Sequence, residues 1–167
     1  MIYEHAKLHV DGDFPWVHAR RWLNEGMRLI ATTCETGSVT DTVQINVTDR
    51  NKWHDLPIGT MNIAKVIKNG SSYNDYREDV NKILFNETGK YDVRIKRLAK
   101  DIQLESDIPE IYESYHYPLS YWVASREQFR FNPDSPDGQR LENTFYIQIR
   151  QVDDMLSKAR RTRKIKV

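Results

Sequence analysis

The sequence predicts an α+β fold: an amphipathic N-terminal helix over about 14–33, packed on an antiparallel β-sheet or small β-sandwich, with long irregular arms and loops. Three observations predict it. Trp16, Ala19, Leu23, Met27 and Ile30 recur at helical spacing. Val43, Ile45 and Val47 alternate with polar residues, as do Tyr91, Val93 and Ile95, which is the period of a half-buried strand. The strand signals are short and separated by turns rather than by helical crossovers, which favours antiparallel pairing.

Taken in chain order, Met1 to Asp13 has no clear period and reads as an extended arm. Asp13-Phe14-Pro15 opens the helix. Asp13 can cap exposed N–H groups, and proline is tolerated in a first turn because its missing N–H costs nothing there. The helix should end near Thr33, before Thr36-Gly37-Ser38. Val43 to Val47 forms a strand, and Asp49-Arg50-Asn51-Lys52 is turn chemistry. Leu56-Pro57 forces extended backbone, since proline pushes its predecessor toward β. Met61 to Ile67 is a strand whose alternation breaks between Ile63 and Val66, which predicts a bulge. It ends at Asn69-Gly70, the strongest short hairpin signal.

Tyr73, Tyr76, Val80 and Leu84 have helical spacing and predict a short helix over about Asp75–Phe85. Tyr91 to Ile95 is a further strand, and Asp101 to Pro118 has no period and reads as a long loop. A loop of that length in a compact domain usually has a job or is ordered by a partner. The last third reads as β again. Tyr121-Trp122-Val123-Ala124 leads to Gln128-Phe129-Arg130-Phe131, then a turn over Asn132 to Gly138, then a final strand carrying Phe145, Ile147 and Ile149. The expected organisation is an arm (1–13), one α+β domain (14–156) and a basic C-terminal tail (157–167).

Composition narrows the function classes. A chain of 167 residues is most simply one domain and needs no staples to fold. The single Cys34 excludes an intramolecular disulfide and points weakly to a reducing compartment. No apolar run reaches the length of a membrane span, and the N-terminus has no charged-then-apolar signal. Three glycosylation sequons then read as chance or turn chemistry. The mean hydropathy of −0.72 is wet for a free globule. The formal net charge of +1 hides an asymmetry. Lys158, Arg160, Arg161, Arg163, Lys164 and Lys166 crowd the last ten residues, and without those six the 25 basic residues fall to 19 against 24 acidic ones. The body is mildly acidic and carries a basic tail.

That tail has three readings: a docking arm to a protein partner, a nucleic-acid contact with salt-dependent affinity, or a solvated tail. It contains no aromatic platform of the kind a single-strand binder uses. Tyr112, Tyr115, Tyr117, Tyr121 and Trp122 form an aromatic cluster suited either to an interface or to the edge of a core. His5 and His9 are four apart, but without a third ligand nearby they read as surface histidines rather than a metal site. Cys34 reads as a small residue near a helix end, not a nucleophile. Glu105, Asp107, Glu110 and Glu113 lie in the loop-like stretch with no spacing to fix an acid–base pair. Neither catalytic, metal nor cofactor residues are assigned.

Three features, in order, resemble the head-to-tail adaptor (neck or connector ring) proteins of tailed bacteriophages, of podovirus-like type. The first is the early amphipathic helix with an Asn at its centre, Trp22-Leu23-Asn24-Glu25-Gly26-Met27-Arg28. The second is the strand Val43–Val47, the aromatic-x-Asp-Leu-Pro corner Trp53–Pro57, and the strand Met61 to the turn glycine Gly70. The third is a late strand closed by a Pro-x-x-Pro-Asp type loop and an aromatic-rich strand, Phe129 to Pro136 and Thr144 to Ile149. The resemblance covers about residues 15–150 with a gap in the middle. It implies a ring of many copies, commonly twelve, in the virion neck, docking a portal protein on one side and a tail or second ring protein on the other. DNA would pass through the channel without specific binding. Assembly would occur in the host cytoplasm, with no cofactor, no membrane and no catalysis. The alternative from the residues themselves is a small nucleic-acid-binding β-domain that uses its basic tail.

Overall fold

A computed structural model describes residues 2–10 and 13–164, with side chains described through Arg161. The fold is α+β, with every strand pairing antiparallel. Where the sequence predicts one domain, tertiary contacts sort the chain into two compact units: Met1–Ser38 with Ala99–Val167, and Val39–Leu98. The first is helical and the second is built of strands.

The strand unit holds β1 (Val39–Val47), β2 (His54–Asp55), β3 (Thr60–Lys68), β4 (Ser71–Ser72), β5 (Tyr76–Asp79), β6 (Lys82–Phe85) and β7 (Gly89–Arg97). They make a four-stranded sheet in the order β1-β7-β3-β4 and a three-stranded sheet in the order β2-β6-β5. The alternation read in the sequence decides what faces in. Tyr91, Val93 and Ile95 are 1% exposed or less, and they share one core with Ile45, Val47 and Val66, and with Ile83 and Phe85 of the smaller sheet. Tyr91 stacks on Phe85 with ring centroids 4.0 Å apart.

The expected bulge is present. The β3–β7 register shifts between Thr60 and Asn62 and again between Ile63 and Lys65. The second shift lets Ile63 and Val66, an odd number of residues apart, both turn toward the core, while Lys65 stays outside. The Asn69-Gly70 hairpin is also as expected: both residues have positive φ, 52° and 80°, which a two-residue hairpin turn of this hand requires. The helix expected over Asp75–Phe85 is not formed. That segment is the β5–β6 hairpin, turning at Val80-Asn81, where Asn81 adopts φ 54°. Val80, which completes the helical stripe, is 81% exposed, whereas Ile83 and Phe85 alternate into the core. Burial of that pair outweighs a weak helical spacing.

The helical unit holds α1 (Ile2–Lys7), α2 (Trp16–Thr33), α3 (His116–Phe131) and α4 (Pro136–Lys164), with a 3-10 turn at Glu113–Tyr115. Helix α2 has the predicted limits. Ala19, Leu23, Met27 and Ile30 are 2% exposed or less. Their stripe packs in a core with residues of α1, α3 and α4, so within this unit the partners of the helix are other helices. Asp13 does not cap it: Pro15 holds the cap position without a side-chain hydrogen bond, and the Asp13 carboxylate pairs with Lys7 Nζ at 3.0 Å. The N-terminal arm is not extended over Ile2–Lys7. Helix α1 buries Ile2, Tyr3 and Ala6, and the Tyr3 hydroxyl donates to the Phe14 carbonyl.

The strands expected in the last third are helices α3 and α4. Phe145, Ile147 and Ile149 mimic a strand, but Ile147 is 55% exposed. The stripe that counts is Leu141, Phe145, Ile149, Val152 and Leu156, at helical spacing. The expected turn ends early because Ser135 accepts a hydrogen bond from the Gly138 N–H at 3.1 Å and Pro136 takes the first helical position. The residues read as the start of a basic tail, Ser157 to Lys164, continue α4.

Helices α2 and α3 cross at Gly26, where a Cβ would stand 2.7 Å from Leu119 Cδ2 and 2.8 Å from Trp122 Cδ1. Trp122 is 4% exposed and has no room to retreat. Gly26→Val should therefore destabilise the protein by about 2 kcal/mol or more through overpacking, measured by denaturant unfolding. An unchanged midpoint would show that the crossing is looser than these distances indicate.

Candidate functional site

No catalytic site was expected, and the candidate site is a set of docking surfaces on the helical unit. The predicted aromatic cluster divides in two. Tyr115 and Trp122 are core residues, 0% and 4% exposed. Tyr112, Tyr117 and Tyr121 reach the surface, the first two at 45% and 48% exposed. The Tyr121 hydroxyl donates to that of Tyr117 at 2.9 Å, and this bond, with burial, pushes the Tyr121 phenol up to about 12. His5 stacks edge-on against Tyr117 at 5.5 Å, and His9 lies against Tyr121 at 4.7 Å. The two histidines therefore support an aromatic surface patch. Burial, then the charges of Arg140 and His5, lower the His9 pKa and favour its neutral form.

Among the basic residues expected to dock partners, Lys158, Arg160 and Arg161 stand on the last turns of α4. The Arg160 guanidinium donates to the Tyr112 hydroxyl at 2.9 Å and lies 5.6 Å from its ring centroid. The structure thus joins one end of the aromatic cluster to the basic helix end. Lys164 and Arg163 lie on α4 with side chains outside the described residues, and Lys166 is outside them altogether.

A cleft of about 620 Å³ opens between α1, α2 and the loop that follows Ala99. Tyr3, Trp16, Leu23, Ile102 and Ile111 give it apolar walls. Glu105, Asp107 and Glu113 contribute acidic groups, and the Nε2 of His116, another lining residue, has no hydrogen-bond partner. The long loop is fixed rather than left open. Asn24 on α2 accepts from the Ile102 N–H at 2.7 Å and donates to the Ile102 carbonyl at 3.1 Å. Arg28 forks onto both oxygens of Asp101 at 2.8 and 2.7 Å. Asp107 closes the loop on itself by accepting from the N–H groups of Gln103 and Leu104 at 2.8 and 2.9 Å. Asn24 carries the one readable signal of this clamp, an amide beside the apolar stripe of a helix where amides are disfavoured unless partnered.

A second device was not legible in sequence. Asp153 on α4 accepts from the N–H groups of Glu35 and Thr36 at 2.9 and 2.8 Å, from Thr36 Oγ1 at 2.7 Å and from the Tyr115 hydroxyl at 3.1 Å. Burial pushes the Asp153 carboxyl up, but the Thr36, Glu35 and Tyr115 donors outweigh it and hold the pKa below the usual range. Cys34 beside it is 6% exposed, and burial raises its thiol pKa to about 11, so it is not a thiolate at pH 7. The described residues hold no group of three or more His, Cys, Asp or Glu placed to bind a metal. None of their helices is long and apolar enough to cross a membrane.

Comparison of the chain with protein-family models and with curated proteins finds no match.

The Asp153 lock gives a signed pH dependence. A carboxyl with a depressed folded-state pKa contributes stability above its unfolded pKa of about 3.9, and loses it as pH falls through the lower folded value. Asp153→Asn should cost about 1.5–3 kcal/mol at pH 7, the range for hydrogen bonds to a charged acceptor. The variant should also lose less stability than the parent between pH 5 and acid, followed by urea titrations at each pH. Parallel curves would remove Asp153 from the acid sensitivity.

Proposed function

We propose that the chain is a non-enzymatic virion structural protein, a neck or connector ring subunit that joins portal to tail around the DNA channel. The observation that carries the reading is the pairing of two unlike surfaces on one helical unit. One is an apolar cleft with acidic residues around it; the other is a basic helix end adjoining exposed tyrosines. A closed ring is built from head-to-tail contacts, so each subunit must offer two different and complementary patches. Opposite charge on those patches steers the encounter and fixes the register. Exposed tyrosines supply the rigid, amphipathic contact area that interfaces favour. Portal and tail components would dock on the remaining surfaces; the first two sequence motifs support the adaptor resemblance, while the third, read as strands, lies on α3 and α4.

The alternative of nucleic-acid binding by the basic C-terminus has less support. Arg160 is engaged with Tyr112, and Lys158 also has a partner among the described residues.

Electron microscopy and native mass spectrometry of the chain, alone and co-expressed with a portal protein, should give a closed homo-oligomeric ring. A particle that stays monomeric under both conditions would overturn the reading. Replacing Tyr117 and Tyr121 together with Ala should weaken assembly by about tenfold or more, as truncating interface aromatics does. The helical circular dichroism should be unchanged. Assembly at full strength would take the tyrosines out of the interface.

A further inference from the structure

The outer face of the four-stranded sheet carries a charge pattern that neither the tail nor the docking surfaces explain. On β7 the residues opposite the buried Tyr91, Val93 and Ile95 are Lys90, Asp92, Arg94 and Lys96. Their cross-strand neighbours on β1 are Asn46, Gln44, Thr42 and Thr40. On β3, Lys65 stands directly opposite Arg94 and Asn62 opposite Lys96, because the bulge at Ala64 puts Lys65 on this side. The face therefore carries four cations, of which Lys96 already has a partner, a set of small hydrogen-bonding side chains, and Ile67 opposite Asp92, the one acid among these positions.

The Lys65–Arg94 pair is the telling contact. Like charges directly opposite each other on adjacent strands destabilise a sheet. Lys65, Lys90 and Arg94 are all exposed, and none forms an ion pair with a described residue. By contrast, Lys68 and Arg97 of the same strands are paired, with Glu87 and Asp41. The sheet pairs Lys68 and Arg97 at its ends and leaves Lys65, Lys90 and Arg94 on its outer face with Asp92 as the one acid among these positions. A polyanion laid across the face would relieve that repulsion.

We infer that this face binds the phosphate backbone of double-stranded nucleic acid without reading its sequence. Lysine and arginine supply the salt-dependent attraction, and Thr, Asn and Gln side chains are the ordinary hydrogen-bonding partners of phosphate and sugar oxygens. None of the positions named on this face is aromatic, so it lacks the stacking platform by which a protein holds single strands. An acidic protein would meet the same charges, but Ile67 is the one large apolar side chain among these positions, short of the clustered apolar anchors that protein interfaces need. The inference does not rest on ring formation, since a single copy presents the whole face.

The test uses the full chain and a short random-sequence DNA duplex, with binding followed by fluorescence anisotropy over a salt series. Each phosphate contact contributes about −0.9 to the slope of log K against log salt. The triple variant Lys65→Gln, Lys90→Gln, Arg94→Gln should lower the slope by about 2–3 and weaken low-salt binding by about tenfold or more. Asp92→Asn should bind the duplex more tightly than the parent. The control Arg160→Gln, Arg161→Gln, at the helix end, should change neither quantity. Single strands of the same length should bind more weakly than the duplex. An unchanged slope in the triple variant, with the loss appearing in the helix-end control, would overturn the inference. So would tight, face-dependent binding of poly-glutamate with none of the duplex, which would assign the face to an acidic protein. Ring assembly, measured separately, would be unaffected by either result.

Discussion

The helical unit is made from two pieces of chain, residues up to Ser38 and residues from Ala99 onward, and it exists only if those pieces hold each other. Helix α2 does the holding. Its Gly26 lets Trp122 and Leu119 of α3 approach to contact distance. Its Asn24 satisfies both backbone groups of Ile102, 78 residues further on. The segment after it is gripped by Asp153 of α4. Each of these contacts closes a long loop, whose entropic cost grows only slowly with length. A sixty-residue insertion is tolerated for that reason, and because the inserted strands bury a core of their own.

This closure also shapes the exposed surfaces of the helical unit. Clamping Ile102 and Asp101 to α2 turns an acidic, aperiodic stretch into one wall of the cleft. The tyrosines then separate by role. Tyr115 is drawn inward by Thr36 and Asp153, while Tyr112, Tyr117 and Tyr121 stay at the surface. The basic end of α4 meets that surface through Arg160 and Tyr112. The Cys34 thiol is held protonated, and the Asp153 carboxylate fastens backbone N–H groups.

The two units solve different problems by the same economy of charge. In the helical unit, carboxylates are spent on backbone N–H groups and on fixed arginines such as Arg28 and Arg130. In the strand unit, ion pairs sit where β1, β3 and β7 end, and the middle of the outer face keeps cations opposed to cations. A ring subunit threaded by a duplex would have use for both arrangements: complementary faces toward its neighbours and a sequence-blind basic surface toward the polyanion. The second does not depend on the first.

What the sequence determined by itself was the local and periodic part of the protein. Helix α2, the strands carrying Val43–Val47 and Tyr91–Ile95, the bulge after Ile63 and the Asn69-Gly70 turn are each written in a few adjacent residues. The identity of α3 and α4 was legible only in part, because Phe145, Ile147 and Ile149 satisfy a period of two as well as belonging to a helical stripe. Only the neighbours on the stripe, buried Leu141 before them and half-buried Val152 after, decide which period counts. The tertiary structure alone decided that Asp13 pairs with Lys7, that Asp153 fastens Thr36, and that Lys65 faces Arg94. The physical reason is common to all three: a charged side chain has several acceptable partners in solution, and which one it takes is set by where burial of apolar residues has already placed the backbone.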